Sequence, residues 1–156
     1  MGRLLYMRIE SYQKEHFETC MQIIQSNTPK YILPIEHLDF KKYLLKEDKT
    51  YFVFFKNNNL VACGGYGLNE TKTKAGLCWG LVHRKYHKQG YGSRSLKYRL
   101  NHIMINYPEI EIHLDTSQHT HQFFEKFGFI TKQITKNGYG EGLDKYDMTI
   151  NKDSNL

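Results

Sequence analysis

An apolar segment, AGLCWGLV at residues 75–82, is followed closely by the basic, glycine-containing segment YHKQGYGSRSL at residues 86–96. The first segment is apolar at successive positions, which is typical of a strand covered on both faces. The second opens a helix, because Leu96, Leu100 and Ile103 recur at helical spacing. A central strand that leads into a helix requires a layered fold, in which helices pack on a sheet.

The remaining patterns predict an α+β fold in a single domain of residues 1–156. The elements follow the order β-α-α-β-β-β-α-β-α-β-β, which is not the strict alternation of a doubly wound sheet. The predicted strands are MRIES, TYFVFF, LVACGGYGL, AGLCWGLV, IEIHLD, FITKQIT and LDKYDMTI. Residues 136–142, KNGYGEG, are predicted to form a loop between the last two strands.

Basic residues dominate one stretch of the chain. The net charge is +6, and no acidic residue occurs between Glu70 and Glu109. That stretch contains eight lysines and arginines, namely Lys72, Lys74, Arg84, Lys85, Lys88, Arg94, Lys97 and Arg99. A local positive field suits the phosphates of a nucleotide or of a nucleic acid, and the alternative is an ordinary solvated face.

The three cysteines, Cys20, Cys63 and Cys78, lie within apolar patterns. Their odd number and their lack of framework spacing predict reduced thiols and a cytoplasmic protein. Such thiols are ordinarily buried in the core. The alternative is a nucleophilic cysteine, for which Cys78 is the candidate. No apolar stretch approaches the roughly 20 residues that span a bilayer, so no membrane partner is predicted.

Gly90 and Gly92 stand at the junction between the central strand and its helix. Backbone N–H groups at a helix start bind phosphate, helped by the positive end of the helix dipole. A P-loop is excluded because G-x-x-x-x-G-K-[ST] is absent, and a dinucleotide fingerprint is excluded because Ser95 replaces its third glycine. The junction therefore predicts a phosphate-binding nest, with a simple turn as the alternative.

These residues resemble the acetyl-CoA-binding segment of the GNAT N-acetyltransferase superfamily, in which a strand ending in Val precedes roughly [QR]-x-x-G-x-[GA]. In LVHRKYHKQGYGSRSL, His87 stands at the first position of that pattern. Residues 123–129, FFEKFGF, resemble the second signature of the family, a short helix running into the sixth strand. The resemblance covers about residues 7–150. It implies a mostly antiparallel sheet of about seven strands with helices on both faces, splayed between strands 4 and 5.

The resemblance also implies where acetyl-CoA would bind. Ser117 falls where many members carry an Asn that bonds the pantetheine, and Phe124 belongs to the second signature. Backbone contacts to the pantetheine arm are implied for Leu81, Val82 and His83, and contacts to the pyrophosphate for Lys88, Gln89, Gly90, Tyr91, Gly92 and Ser93. Candidates for the 3′-phosphate are Arg84, Lys85, Lys88 and Lys126.

Attack of an amine on a thioester needs a base, a polarised carbonyl and an acid for the leaving thiolate. Many members of the family use a Tyr on the helix of the second signature and a Glu on the fourth strand. Those places hold Phe124 and Gly76 here, so substitutes are expected elsewhere. The candidate catalytic residues are Tyr139 and Glu141, before the last strand, and Asp115 and His119, at the end of the fifth strand.

The predicted function is the transfer of an acetyl group from acetyl-CoA to a primary amine of a small molecule or peptide. Two alternatives stay open: an acyl-CoA-binding module without turnover, and a basic nucleic-acid-binding domain. The second is disfavoured because no nucleic-acid motif accompanies the basic residues. No metal is predicted, because His119 and His121 point apart on a helix and lack a third ligand. A homodimer through edge strands is a tendency of the family.

Overall fold

The computed structural model of the chain describes residues 6–150, which form a seven-stranded mixed sheet and four α-helices. The strands are β1 (Arg8–Ser11), β2 (Thr50–Lys56), β3 (Asn59–Leu68), β4 (Lys74–Val82), β5 (Glu111–Thr116), β6 (Phe129–Gly140) and β7 (Leu143–Ile150). The helices are α1 (Phe17–Ser26), α2 (Glu36–Leu45), α3 (Tyr91–Asn106) and α4 (His121–Glu125). The strand order is β1-β2-β3-β4-β5-β7-β6. The predicted α+β fold with about seven strands is confirmed.

The first of two compact units contains residues 6–66 and 79–101, and β2 carries its core on both faces. Alternate residues of a strand point to opposite faces, and all five residues from Tyr51 to Phe55 are buried. On one face, helices α1 and α2 contribute the buried side chains of Cys20, Ile23, Ile24, Phe40 and Leu44. On the other face, the Tyr98 ring of α3 lies edge-on to Phe52, with ring centroids 5.1 Å apart. Helices thus cover both faces of this part of the sheet, as predicted.

The second compact unit contains residues 67–78 and 102–150. Here β4 and β5 pair in parallel, with Lys74–Gly76 opposite Glu111–His113, whereas β7 pairs antiparallel with both β5 and β6. The ladder between β4 and β5 covers only the first three residues of β4, which confirms the predicted splay of these strands. The core of this second unit contains the buried residues Ile112, Leu114, Phe129 and Met148.

Strand β4 contains a backbone irregularity at Trp79. The φ angle of Trp79 is 47°, a left-handed value that residues other than glycine rarely adopt. The Trp79 carbonyl accepts a hydrogen bond of 2.7 Å from the Tyr51 hydroxyl. The Trp79 ring packs on the ring of Phe40, with the ring centroids 5.0 Å apart. The surrounding core therefore holds β4 in a conformation that the strand would not adopt alone.

We expect Tyr51→Phe to destabilise the fold by about 1–3 kcal/mol, because the Trp79 carbonyl would lose its buried donor. Tyr51 is only 3% exposed, so water cannot replace the hydroxyl freely. Urea unfolding of the variant measures this loss. Tyr6→Phe is the matched control, because Tyr6 is 81% exposed and its hydroxyl is solvated. Equal unfolding free energies for the two variants would contradict the role of Tyr51.

The segment predicted to be a loop, residues 136–142, is mostly strand. Strand β6 continues to Gly140, and only Glu141 and Gly142 form the turn into β7, with a φ of 82° at Gly142. Asn137 stabilises this end of the hairpin: its N–H donates to Asp144 Oδ1 and its Oδ1 accepts from Gly142 N–H. The loop prediction is wrong here, because Gly138 and Gly140 belong to the irregular pairing between Thr135 and Gly140 rather than to a loop.

Candidate active site

The loop after β4 is fastened to the C-terminal end of α1. The Val82 carbonyl accepts hydrogen bonds from Asn27 Nδ2 at 3.0 Å and from His87 Nε2 at 2.9 Å. The Ser26 hydroxyl accepts from the N–H of Arg84 at 3.0 Å. His87, the residue that departs from the family pattern, therefore braces the loop from within. Asn27 could not be found from the sequence, because its partner lies on a distant strand.

These bonds narrow the backbone groups that a pantetheine arm could use. The Val82 carbonyl already has two donors, and the His83 N–H donates to Val61 O at 2.9 Å. The His83 carbonyl accepts from Tyr86 N at 2.8 Å. The resemblance predicted contacts from the backbone of Leu81, Val82 and His83 to the pantetheine arm. The hydrogen bonds just described do not involve the Val82 N–H or the backbone of Leu81.

His83 holds the first turn of the loop as a neutral imidazole. Its Nδ1 accepts a hydrogen bond from the N–H of Lys85 at 3.1 Å, which requires that nitrogen to be unprotonated. Burial lowers the pKa of His83 from 6.5, and the nearby charges of Lys85 and His87 lower it further. The loop is therefore built around an uncharged ring at neutral pH.

We expect the imidazole of His83 to titrate with a midpoint below 6.5 in an NMR titration. Because the unfolded chain takes up this proton first, the contribution of neutral His83 to stability is complete above pH 6.5 and is lost as the pH falls from 6.5 through the lower pKa of the folded state. Lys85→Gln should raise the midpoint, since it removes one of the charges that oppose protonation. Lys41→Gln, on the exposed side of α2, is the control. If the titration midpoint of His83 is the same in Lys85→Gln as in the wild type, the proposed influence of the Lys85 charge is contradicted.

The loop reaches α3 through two residues with left-handed backbone conformations. The φ angles are 61° at Lys88 and 90° at Gly90, and both residues are exposed. The first hydrogen bond of α3 runs from Arg94 N–H to Gly90 O at 3.1 Å. The N–H groups of Tyr91, Gly92 and Ser93 consequently have no acceptor within the helix. The first turn of this 16-residue helix also contains no acidic side chain.

This arrangement suits an anion. Donor N–H groups, the positive end of a long helix and a glycine at the helix start are the components of a phosphate site. The Tyr91 ring is only 1% exposed and packs against Tyr86 at 5.9 Å, so Tyr91 offers its backbone and not its ring. The exposed cations Arg84, Lys85, Lys88 and Arg94 lie in or next to the loop.

Arg99 does not belong to a solvated basic face, because it is 4% exposed. Its Nη1 donates to Gly65 O at 3.4 Å, and its Nε donates to Ser95 O at 3.3 Å. A Cβ atom at Gly64 or at Gly80 would lie 2.8 Å from its guanidinium group. These glycines therefore make room for a buried cation, and the basic stretch of the sequence has two roles rather than one.

Two of the four predicted catalytic residues are in contact. Tyr139, on β6, donates a hydrogen bond from its hydroxyl to Oδ1 of Asp115, on β5. Glu141 lies exposed in the turn between β6 and β7, and His119 is exposed beyond the end of β5. The structure thus brings a phenol and a carboxylate together within the second unit.

The residues predicted from the second signature lie on and beside α4. Phe124 is half-buried, with its ring 6.0 Å from that of Phe129, and has no proton to donate. Lys126 is exposed at the end of the helix. The Ser117 hydroxyl is buried and accepts from the N–H of His119 at 3.2 Å, which engages one of its lone pairs and leaves its proton available.

One residue of the same unit was missed by the sequence argument. His113 lies beside Gly76 in the parallel ladder, and its imidazole covers the space where a side chain of Gly76 would stand. The alternation of IEIHLD places His113 on the same side of β5 as Asp115. The alternation of IEIHLD is enough to predict which face of β5 carries His113. The sequence does not show that Gly76 is its neighbour on β4.

The thiols are reduced. Cys20 and Cys63 are buried next to each other, and their mutual hydrogen bond, together with burial, raises the pKa of the Cys20 thiol well above its ordinary value. Cys78 is half-buried. Within residues 6–150, no three His, Cys, Asp or Glu side chains are grouped as a metal site. None of the helices in that range has the length and apolar character of a membrane span.

Solved acetyltransferases share this fold. The ribosomal-protein-S18-alanine N-acetyltransferase of Escherichia coli superposes with a TM-score of 0.78 at 17% identity, over 97% of this chain and 100% of that one. An aminoglycoside 6′-N-acetyltransferase complexed with coenzyme A gives 0.73 at 15% identity, over 95% and 99%. A spermidine N-acetyltransferase variant from Vibrio cholerae gives 0.71 at 12% identity, over 92% of each chain.

Residues 10–152 match the family model of the acetyltransferase (GNAT) domain. The chain therefore belongs to the GNAT acetyltransferase family, and acyl transfer is the chemistry of that family. No curated protein matches the chain in sequence.

Proposed function

We propose that this chain is an acetyl-CoA-dependent N-acetyltransferase that acts on a primary amine. The observation that carries the proposal is the start of α3, where the N–H groups of Tyr91, Gly92 and Ser93, which have no acceptor within the helix, follow the left-handed Gly90. A diphosphate is the ligand that such a nest fits. The basic side chains of the loop add attraction for the 3′-phosphate of the same cosubstrate.

In the proposed reaction, the amine attacks the thioester carbonyl directly. Tyr139 is the proposed acid, because its hydroxyl carries a proton and Phe124 does not. Its bond to Asp115 fixes the direction in which the hydroxyl points. The proton passes to the sulfur of the leaving thiolate as the C–S bond breaks, so that free CoA leaves as a thiol. Glu141 and His119, which are both exposed, stay predictions.

A CoA-binding module without turnover is the second candidate, and Phe124 is the observation that favours it. Nucleic-acid binding receives no support from the aromatic side chains of the basic stretch. Tyr91 is buried, and the Tyr98 ring packs against Phe52 and Phe54. Stacking on bases requires accessible rings, so we do not propose this function.

Release of CoA thiol in the presence of an amine tests the proposal. Suitable acceptors follow from the solved relatives: a peptide that begins with alanine, the aminoglycoside kanamycin, and spermidine. We expect thermal stabilisation by acetyl-CoA without an amine, and thiol release with at least one of the three. Stabilisation without release would favour the binding module, and the absence of both would contradict the proposal.

The compartment and the assembly are also proposals. The adjacent reduced thiols of Cys20 and Cys63 support a reducing compartment such as the cytoplasm. β1 and β6 are the two edge strands of the sheet, so their free edges are where a homodimer would be sought.

A further inference from the structure

The side of β5 opposite its apolar core is open and polar. Ile112 and Leu114 are buried, whereas His113 and Asp115 alternate with them and are exposed. On this side Asp115 accepts the hydroxyl bond from Tyr139. Two residues along the same strand, His113 therefore stands on the same face as the proposed proton donor.

Gly76 leaves the space in which the imidazole of His113 lies. The two residues are direct partners in the parallel ladder between β4 and β5. A Cβ atom added at Gly76 would be 2.9 Å from Cε1 of His113 and 3.3 Å from Nε2. Any other residue at this position would push the ring away, so the glycine and the position of the imidazole depend on each other.

The ring nitrogens of His113 differ from those of other histidines in the chain. The rings of His16, His37, His83, His87 and His121 each have a hydrogen-bond partner. Within the described residues 6–150, neither ring nitrogen of His113 has one. An exposed imidazole held over a bare stretch of backbone, with both nitrogens open, is available to accept a proton.

We propose that His113 is the proton acceptor for the amine substrate. This inference rests on the proposed function. An ammonium ion has no lone pair for attack, so His113 takes one of its protons and later releases it to solvent. The freed lone pair forms the C–N bond at the thioester carbonyl while the C–S bond breaks. The second proton leaves the nitrogen and restores the Tyr139 hydroxyl, whose own proton has made the thiol of CoA.

The test compares His113→Ala with the wild type, using whichever of the alanine peptide, kanamycin or spermidine releases thiol. We expect a fall in kcat/KM of about 100-fold at neutral pH, the lower end of the range for a general base. Thermal stabilisation by acetyl-CoA should be unchanged. Added imidazole should restore part of the rate in the Ala variant, because the site is exposed. His102→Ala, on α3, is the matched histidine control.

Gly76→Ala provides a second test in which the histidine is still present. The methyl group should displace the imidazole and lower the rate about tenfold or more, without loss of the fold, because an exposed ring can swing away. A folded His113→Ala protein with near wild-type rate, or one that imidazole fails to rescue, would overturn the inference. Thiol release absent from the wild type with all three amines would overturn the proposed function, and the base with it.

Discussion

Gly90→Val is expected to weaken the binding of acetyl-CoA by at least about 100-fold. Two effects combine at this position. The φ angle of Gly90 is 90°, which a β-branched residue adopts only at a cost of about 1–3 kcal/mol. A valine that forced the backbone to a negative φ would also turn the N–H groups at the start of α3 away from the ligand.

Isothermal titration with acetyl-CoA measures this effect directly. The control is Gly67→Val, because a Cβ atom at Gly67 meets nothing within 4 Å and the position lies in strand β3, where valine is favoured. We expect the control to bind as the wild type does. Both variants should remain folded in urea titrations, with Gly90→Val less stable by the backbone cost alone. Wild-type affinity in Gly90→Val would contradict the nest.

Tyr139→Phe is expected to lower kcat by about 100-fold or more while leaving the affinity for acetyl-CoA unchanged. The substitution removes one oxygen, and with it the proton proposed for the leaving thiolate. Asp115→Asn should have a smaller effect, about tenfold, because the amide oxygen can still accept the hydroxyl bond but has no charge to orient it.

Steady-state kinetics that separate kcat from KM distinguish this role from a structural one. A merely structural Tyr139 would change stability and KM together, whereas a proton donor changes kcat alone. Tyr107→Phe, at the end of α3, removes the same atom elsewhere and should be neutral. An unchanged kcat in Tyr139→Phe would move the role of acid to another residue, with Glu141 and His119 the next to be tested.

Local patterns predicted the parts of this molecule that depend on neighbours in the sequence. The alternation of IEIHLD and the helical spacing after Gly92 correctly gave β5 and α3, because burial on one face leaves a periodic signal. The sequence placed Gly90 at the helix start as a position open to a phosphate, but it did not predict the left-handed φ of 90° there.

Contacts between distant residues left no such signal. The sequence did not predict that Arg99 is buried, because the glycines that make room for it, Gly64 and Gly80, lie on strands β3 and β4, far from it along the chain. The left-handed backbone of Trp79 is held by a hydrogen bond from Tyr51, which lies on another strand. The pairing of His113 with Gly76 is likewise a property of the parallel ladder. Such features arise from tertiary packing that overrides local preference.

The anchoring of the loop after β4 has a consequence for the thermodynamics of ligand capture. Asn27 and His87 hold the Val82 carbonyl, and Ser26 holds the N–H of Arg84, through contacts internal to the protein. The loop is therefore already ordered in the free protein, and its conformational entropy is lost during folding rather than during association. Cosubstrate should dock onto a rigid cradle with little backbone rearrangement. Substitutions that remove the hydrogen bonds of Asn27, His87 or Ser26 should slow the binding of acetyl-CoA and make its entropy of association more unfavourable.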